Sequence, residues 1–170
     1  LLHRVLSSAC FSLPSSSARA LATAAEQLAA TKLRSRDGDV DAASHLKGKA
    51  VALYFSAGWC PSCRRFTPKL QRFHERVDPS EFEVVFVSRD RDEESLEKYF
   101  KDKMGAWTYI PFGEARIQEL LKQYEIKTIP ALRVLREDGS LVEDNVREDV
   151  QNHTTVEEAK AALAKWTKKQ

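Results

Sequence analysis

Two apolar runs of strand length, Ala50–Ser56 (AVALYFS) and Phe82–Ser88 (FEVVFVS), constrain this chain more than any other feature. Neither alternates apolar with polar residues, which is the pattern of a strand buried on both faces. Between them Phe66, Leu70 and Phe73 recur at helical spacing, so the segment reads as strand, helix, strand. Strands joined by a crossover helix pair in parallel, and burial on both faces needs helices above and below the sheet. Asp90–Lys103 starts acidic and ends basic, matching a helix macrodipole, with Leu96, Tyr99 and Phe100 on one face. Ile117, Leu120, Leu121 and Tyr124 form another helical stripe. Ala131–Arg136 alternates as a half-buried strand, Glu137–Ser140 reads as a hairpin turn, and a partner strand is expected from Leu141 to about Val146. Thr154-x-x-Glu157 has the form of a capping box opening a last helix, with Val156, Ala159, Leu163 and Trp166 on one face. The expected fold class is α/β, a mixed central β-sheet flanked by helices.

The chain has 170 residues, the size of one domain with a little to spare. Charge divides it. Residues 1–36 hold Arg4, Arg19, Lys32, Arg34 and Arg36 against one acid, Glu26, and are rich in serine. Leu21, Ala25 and Leu28 fall near one helical face there. This composition predicts a cleavable mitochondrial transit peptide, cut between about Ala20 and Arg36, with the folded domain over residues 37–170. A secretory signal, with Ala18-Arg19-Ala20 resembling a cleavage site, and a disordered tail on a cytosolic protein are the alternatives. The remainder carries 22 basic and 24 acidic residues, without the basic stripe of a nucleic-acid binder. No run of 18 apolar residues exists, so no membrane-spanning helix is expected. Nothing marks an obligate interface, and a monomer is expected.

Cys60 and Cys63 lie directly after the first buried strand, at the start of a helix. A thiol on the first turn of a helix faces unsatisfied backbone N–H groups and the positive end of the macrodipole, both of which favour thiolate. Pro61 suits that first turn, where its missing N–H costs nothing. Cys63 sits one turn further on, within reach of a disulfide with Cys60. The expected chemistry is thiol–disulfide exchange, with no cofactor. Ile129-Pro130, just before a strand, is a candidate cis peptide whose exposed Ile129 backbone pairs with an extended substrate. Trp59, beside the nucleophile, and Pro61 complete the expected substrate contacts. Trp107 reads as packing, His74 as an exposed or satisfied histidine, and the acidic run Asp90–Glu94 as capping of the following helix.

A CxxC pair also serves as half of a zinc site. The further ligands would have to come from His45, His74 and His153, which are widely scattered, so no metal is expected.

The stretch Phe55-Ser56-Ala57-Gly58-Trp59-Cys60-Pro61-Ser62-Cys63-Arg64-Arg65-Phe66-Thr67-Pro68 resembles the active-site segment of tryparedoxins and nucleoredoxins, a branch of the thioredoxin-like superfamily. Phe86-Val87-Ser88, Asp92–Ser95, Trp107, Pro111-Phe112 and Thr128-Ile129-Pro130 follow in that family's order. The resemblance spans roughly Leu46 to Val150. It implies a thioredoxin fold, Cys60 as nucleophile, Cys63 as resolving thiol and Pro130 as the cis-proline. Arg147 lies near the position of an arginine that contacts a glutathione-type donor in tryparedoxins. The implied partners are disulfide-containing proteins, a peroxidase such as a peroxiredoxin among them. The implied electron donor is a low-molecular-weight thiol or a flavoprotein reductase. Two departures stand out: Ser62 where the branch commonly has proline, and Tyr54 where many thioredoxins bury an aspartate. Tyr54, Glu93 or water is then left to accept the Cys63 proton. A redox-sensitive binding or scaffold protein on the same fold is the alternative function.

Overall fold

The computed structural model describes residues 22–142, 146–152 and 155–167. Both apolar runs are strands within one sheet. They are β3 (Ala50–Ser56) and β4 (Phe82–Ser88), and the chain between them forms helix α3 (Pro61–His74). β3 and β4 pair in parallel, with Tyr54 opposite Phe86 and Ser56 opposite Ser88. Every residue of both strands is buried. The two-residue period of a strand then divides them between two cores. Ala50, Ala52, Tyr54, Phe82, Val84 and Phe86 face one core, built with α3, α4 (Glu93–Lys103) and α7 (Val156–Thr167). Val51, Leu53, Phe55, Val85 and Val87 face the other, built with α1 (Ala24–Leu28), α2 (Ala42–His45) and α5 (Ala115–Gln123).

The sheet has six strands in the order β2-β1-β5-β4-β3-β6. β5 (Thr108–Tyr109) lies parallel to β4, and β6 (Ala131–Leu135) antiparallel to β3. The hairpin of β1 (Leu33–Ser35) and β2 (Gly38–Val40) extends the β5 edge antiparallel. The mixed sheet between helical layers is the expected α/β class.

The folded body begins upstream of Asp37, where the sequence places its start. Ala24, Ala25, Leu28 and Leu33 are all buried in the second core. Thr23 and Glu26 form a reciprocal capping box at the start of α1. Gln27 Nε2 donates to the Gly139 carbonyl at 2.9 Å, and Ala24 N to the Glu137 carbonyl at 3.0 Å, clasping α1 to the turn after β6. The apolar Ala25–Leu28 face covers the protein's own sheet. A short apolar face flanked by cations has one pattern for both uses, which is why charge alone misplaced the boundary. Residues 1–21, where most of the transit-peptide expectation falls, lie outside the described residues.

Three smaller expectations change. No strand is assigned at Leu141–Val142; Leu141 makes an isolated bridge to Leu135, and Val146 opens helix α6 (Val146–Asn152). The last helix is capped one residue later than expected, by Thr155 and Glu158 rather than Thr154 and Glu157. His74 is neither exposed nor satisfied: it packs edge-on against Trp107 at 5.6 Å with its Nε2 unpartnered among the described residues, and burial lowers its pKa. Trp107 is 2% exposed, a packing residue as expected.

Candidate active site

β3 ends at Ser56, and the turn Ala57-Gly58-Trp59 delivers Cys60 to the N-cap of α3. With Pro61 at the first helical position, the Cys60 Sγ takes the capping role that a serine or aspartate oxygen usually fills. It accepts the Cys63 N–H at 3.2 Å, a bond that a thiolate accepts better than a thiol. Cys60 is 6% exposed and Cys63 0%, so Cys60 is the sulfur a partner meets first.

The Ile129–Pro130 peptide is cis. It faces the cysteines, with the Cys60 Sγ 3.9 Å from the Ile129 carbonyl and Ile129 packed on the Ala57–Cys60–Cys63 cluster. Arg147, from α6, donates to the Pro130 carbonyl at 3.2 Å. Trp59 is 52% exposed, with its indole N–H held by the Arg89 carbonyl at 3.1 Å. Pro61 is exposed beside it. The structure thus brings together the expected catalytic and substrate-contact residues: Trp59, Cys60, Pro61, Cys63, Ile129, Pro130 and Arg147.

It also adds contacts the sequence did not mark. The Asp90 carboxylate accepts from Gly58 N at 2.8 Å and from the Ser88 hydroxyl at 2.7 Å, so it steadies the active-site turn rather than capping α4. Asp92 is the N-cap of that helix, accepting from Ser95 N. Arg64 turns back to donate to the Gly58 carbonyl at 2.7 Å, fixing the same residue from its other side. No periodicity betrays these contacts, because they join loops far apart in sequence.

Behind Cys63 runs a buried chain of hydroxyls. Thr67 Oγ1 donates to the Cys63 carbonyl and lies 2.7 Å from the Tyr99 hydroxyl and 2.9 Å from that of Tyr54. Burial pushes the Tyr54 phenol well above its ordinary range. At neutral pH it is a hydrogen-bond donor and not a base. Glu93 is exposed on the first turn of α4. Burial, with a further contribution from Cys60, pushes the Cys63 thiol up to about 11, while a hydrogen bond from Ser56 works the other way. The two sulfurs are thus unequal: an accessible one at a helix N-terminus, and a sequestered one that holds its proton.

Residues 48–141, more than half the chain, match the family described as Thioredoxin-like. The chain belongs to the thioredoxin-like family. Its relatives place it on the tryparedoxin and nucleoredoxin branch. It is 40% identical to a tryparedoxin of Trypanosoma brucei brucei over 121 residues, 69% of this chain and 82% of the relative. It is 38% identical over 120 residues to a probable nucleoredoxin 1 of Arabidopsis thaliana, covering 69% of this chain but only 20% of that protein. The chain therefore spans about a fifth of that nucleoredoxin. Among solved structures, a thioredoxin from Wuchereria bancrofti superposes with a TM-score of 0.70 at 42% identity, over 81% of this chain and 97% of that one. Cys60 and Cys63 lie within the matched span, at the start of the helix that follows β3.

Proposed function

We propose that the protein reduces disulfides in other proteins through a Cys60/Cys63 dithiol cycle. The Cys60 thiolate attacks one sulfur of a substrate disulfide, forming a mixed disulfide and releasing the other sulfur as a thiolate, which takes up a proton. Cys63 then gives up its proton and attacks the Cys60 sulfur. The second substrate sulfur leaves as a thiolate and is protonated in turn. The substrate gains two electrons and two protons, and the protein is left with a Cys60–Cys63 disulfide. A low-molecular-weight thiol or a flavoprotein reductase restores the dithiol, and a peroxidase of the peroxiredoxin kind is a fitting acceptor.

The observation that carries this reading is the inequality of the sulfurs: Cys60 capping α3 and facing the cis-proline loop, Cys63 fully buried one turn behind it. A half-exposed Trp59 beside them supports a protein partner, since exposed aromatics anchor such contacts. Cys60→Ser is expected to abolish catalysed disulfide reduction, and Cys63→Ser to accumulate the mixed disulfide. A two-electron midpoint of about −200 to −270 mV in glutathione buffers is expected for such a reductase. Redox-dependent partner binding without turnover would instead establish the scaffold alternative.

The basic, serine-rich N-terminal stretch supports import into mitochondria, where a reducing role fits the thiol poise. The expected outcome for a tagged full chain is mitochondrial import with cleavage upstream of Thr23. Exclusion from mitochondria overturns it.

A further inference from the structure

A groove of about 600 Å³ opens beside the nucleophile, with Ser62, Arg65 and Lys69 on one wall and Ile129, Pro130 and Arg147 on the other. That volume lies within the roughly 300–1,000 Å³ of ordinary ligand sites. Its charge is one-sided: among the described residues three cations line it, and no carboxylate does. The polar contacts of these cations are not ionic. Arg65 reaches the Ser62 hydroxyl at 3.3 Å, Arg147 the Pro130 carbonyl at 3.2 Å, and Lys69 has no carboxylate partner among the described residues. Some cations elsewhere are paired with carboxylates, as in Lys32–Glu114 at 2.8 Å and Arg34–Asp39 at 2.9 Å. Like charges held together in a cleft focus a positive field and raise the local concentration of anions.

We propose that this groove selects disulfide partners carrying carboxylates close to the reactive cysteine, so that the protein prefers acidic segments as substrates. The assignment rests on the disulfide-reductase reading and adds the substrate's charge to it. Ser62, Arg65 and Lys69 are spaced i, i+3, i+7, so they form one stripe along α3. From Ser62 to Lys69 the stripe runs roughly 10 Å at 1.5 Å per residue, the span of about three extended residues. The selecting carboxylates therefore lie within about three positions of the substrate cysteine. An extended segment crossing at Ile129 enters between the two basic walls. The same recognition is absent from the cleft on the other side of Trp59, where Asp90 and Asp102 offset Arg64, Lys98 and Lys103.

The test is a single-turnover reaction between the reduced full-length protein and two matched peptide homodisulfides. One carries glutamates within three residues of its cysteine, and the other carries glutamines there. Electrons come from the protein's own dithiol, and each turnover yields two peptide thiols and the Cys60–Cys63 disulfide. Exposed ion pairs each shift a binding constant by only about 1.5- to 5-fold, so two or three acting together give a preference of about tenfold at low salt. The preference shrinks at high ionic strength. It collapses towards unity in the Arg65→Gln/Lys69→Gln/Arg147→Gln variant. Should that variant not fold, Arg65→Gln and Lys69→Gln are made singly, each lowering the ratio. Equal rates for the two peptides, or a preference that survives these substitutions, overturn the groove's role while leaving the reductase reading standing. If neither peptide is reduced, the reductase reading fails and the groove's assignment falls with it.

Discussion

Cys63 presents no surface to solvent, and its environment holds the thiol protonated to about pH 11. That asymmetry suits the order of events, because a resolving thiol should attack only after a mixed disulfide has formed beside it. It also links pH to stability. An acid whose folded pKa lies above its unfolded value stabilises the fold fully below the unfolded value, here 9.0, and loses that contribution as pH rises through about 11. The urea midpoint of the reduced protein should therefore fall as the pH is raised above about 9. Cys63→Ser should show a shallower fall over the same range, with the buried phenols of Tyr54 and Tyr99 accounting for the remainder. Identical slopes for the two proteins would mean that Cys63 is not the sequestered thiol described here.

The elements are held by contacts that reach across long stretches of chain. Arg36, between β1 and β2, donates to the carbonyls of Lys101 at 3.0 Å and Met104 at 2.7 Å, with Phe100 at 3.4 Å. The carbonyls of Lys101 and Met104 lie at the end of α4, where carbonyls lack intrahelical partners and the macrodipole is negative. The guanidinium also lies 5.6 Å over the Phe100 ring. One side chain thus joins the N-terminal hairpin to the helix that carries Tyr99 of the hydroxyl chain behind Cys63. Arg36→Ala should cost about 1–3 kcal/mol in chemical denaturation, the range for hydrogen bonds from a charged donor. Lysine should recover only part of it, since a point charge cannot fork between several carbonyls. A loss within a few tenths of a kcal/mol would show the cap to be a surface ornament.

For the whole molecule, the placement of residues 22–36 matters most. Leu28 and Leu33 are 1% and 2% exposed in the second core, and burying a leucine contributes about 1.5–3 kcal/mol. Together they approach the 5–15 kcal/mol that separates a typical folded domain from its unfolded chain. A chain beginning at Asp37 also loses β1, the strand that covers β5. It should melt far below the full-length protein or fail to fold, as followed by circular dichroism. An unchanged melting temperature would mean that the domain boundary lies where charge composition alone put it.

Determined by the sequence itself were the buried parallel pair, the helix between them, and the reactive dithiol at its start. Each is local, encoded in a run, a spacing or a helix terminus, so it can be read along the chain. The short strands β1, β2 and β5 were not legible, because two or three residues give too few periods for a pattern to register. One signal for α1 was present in Thr23-x-x-Glu26, yet it lay inside a stretch whose basic charge spoke louder. The clamp of Asp90 and Arg64 on Gly58, the orphaned His74 beside Trp107 and the basic groove were decided only in three dimensions. They depend on which loops and faces the sheet brings together. That adjacency comes from burying both faces of β3 and β4 at once, which no single segment encodes.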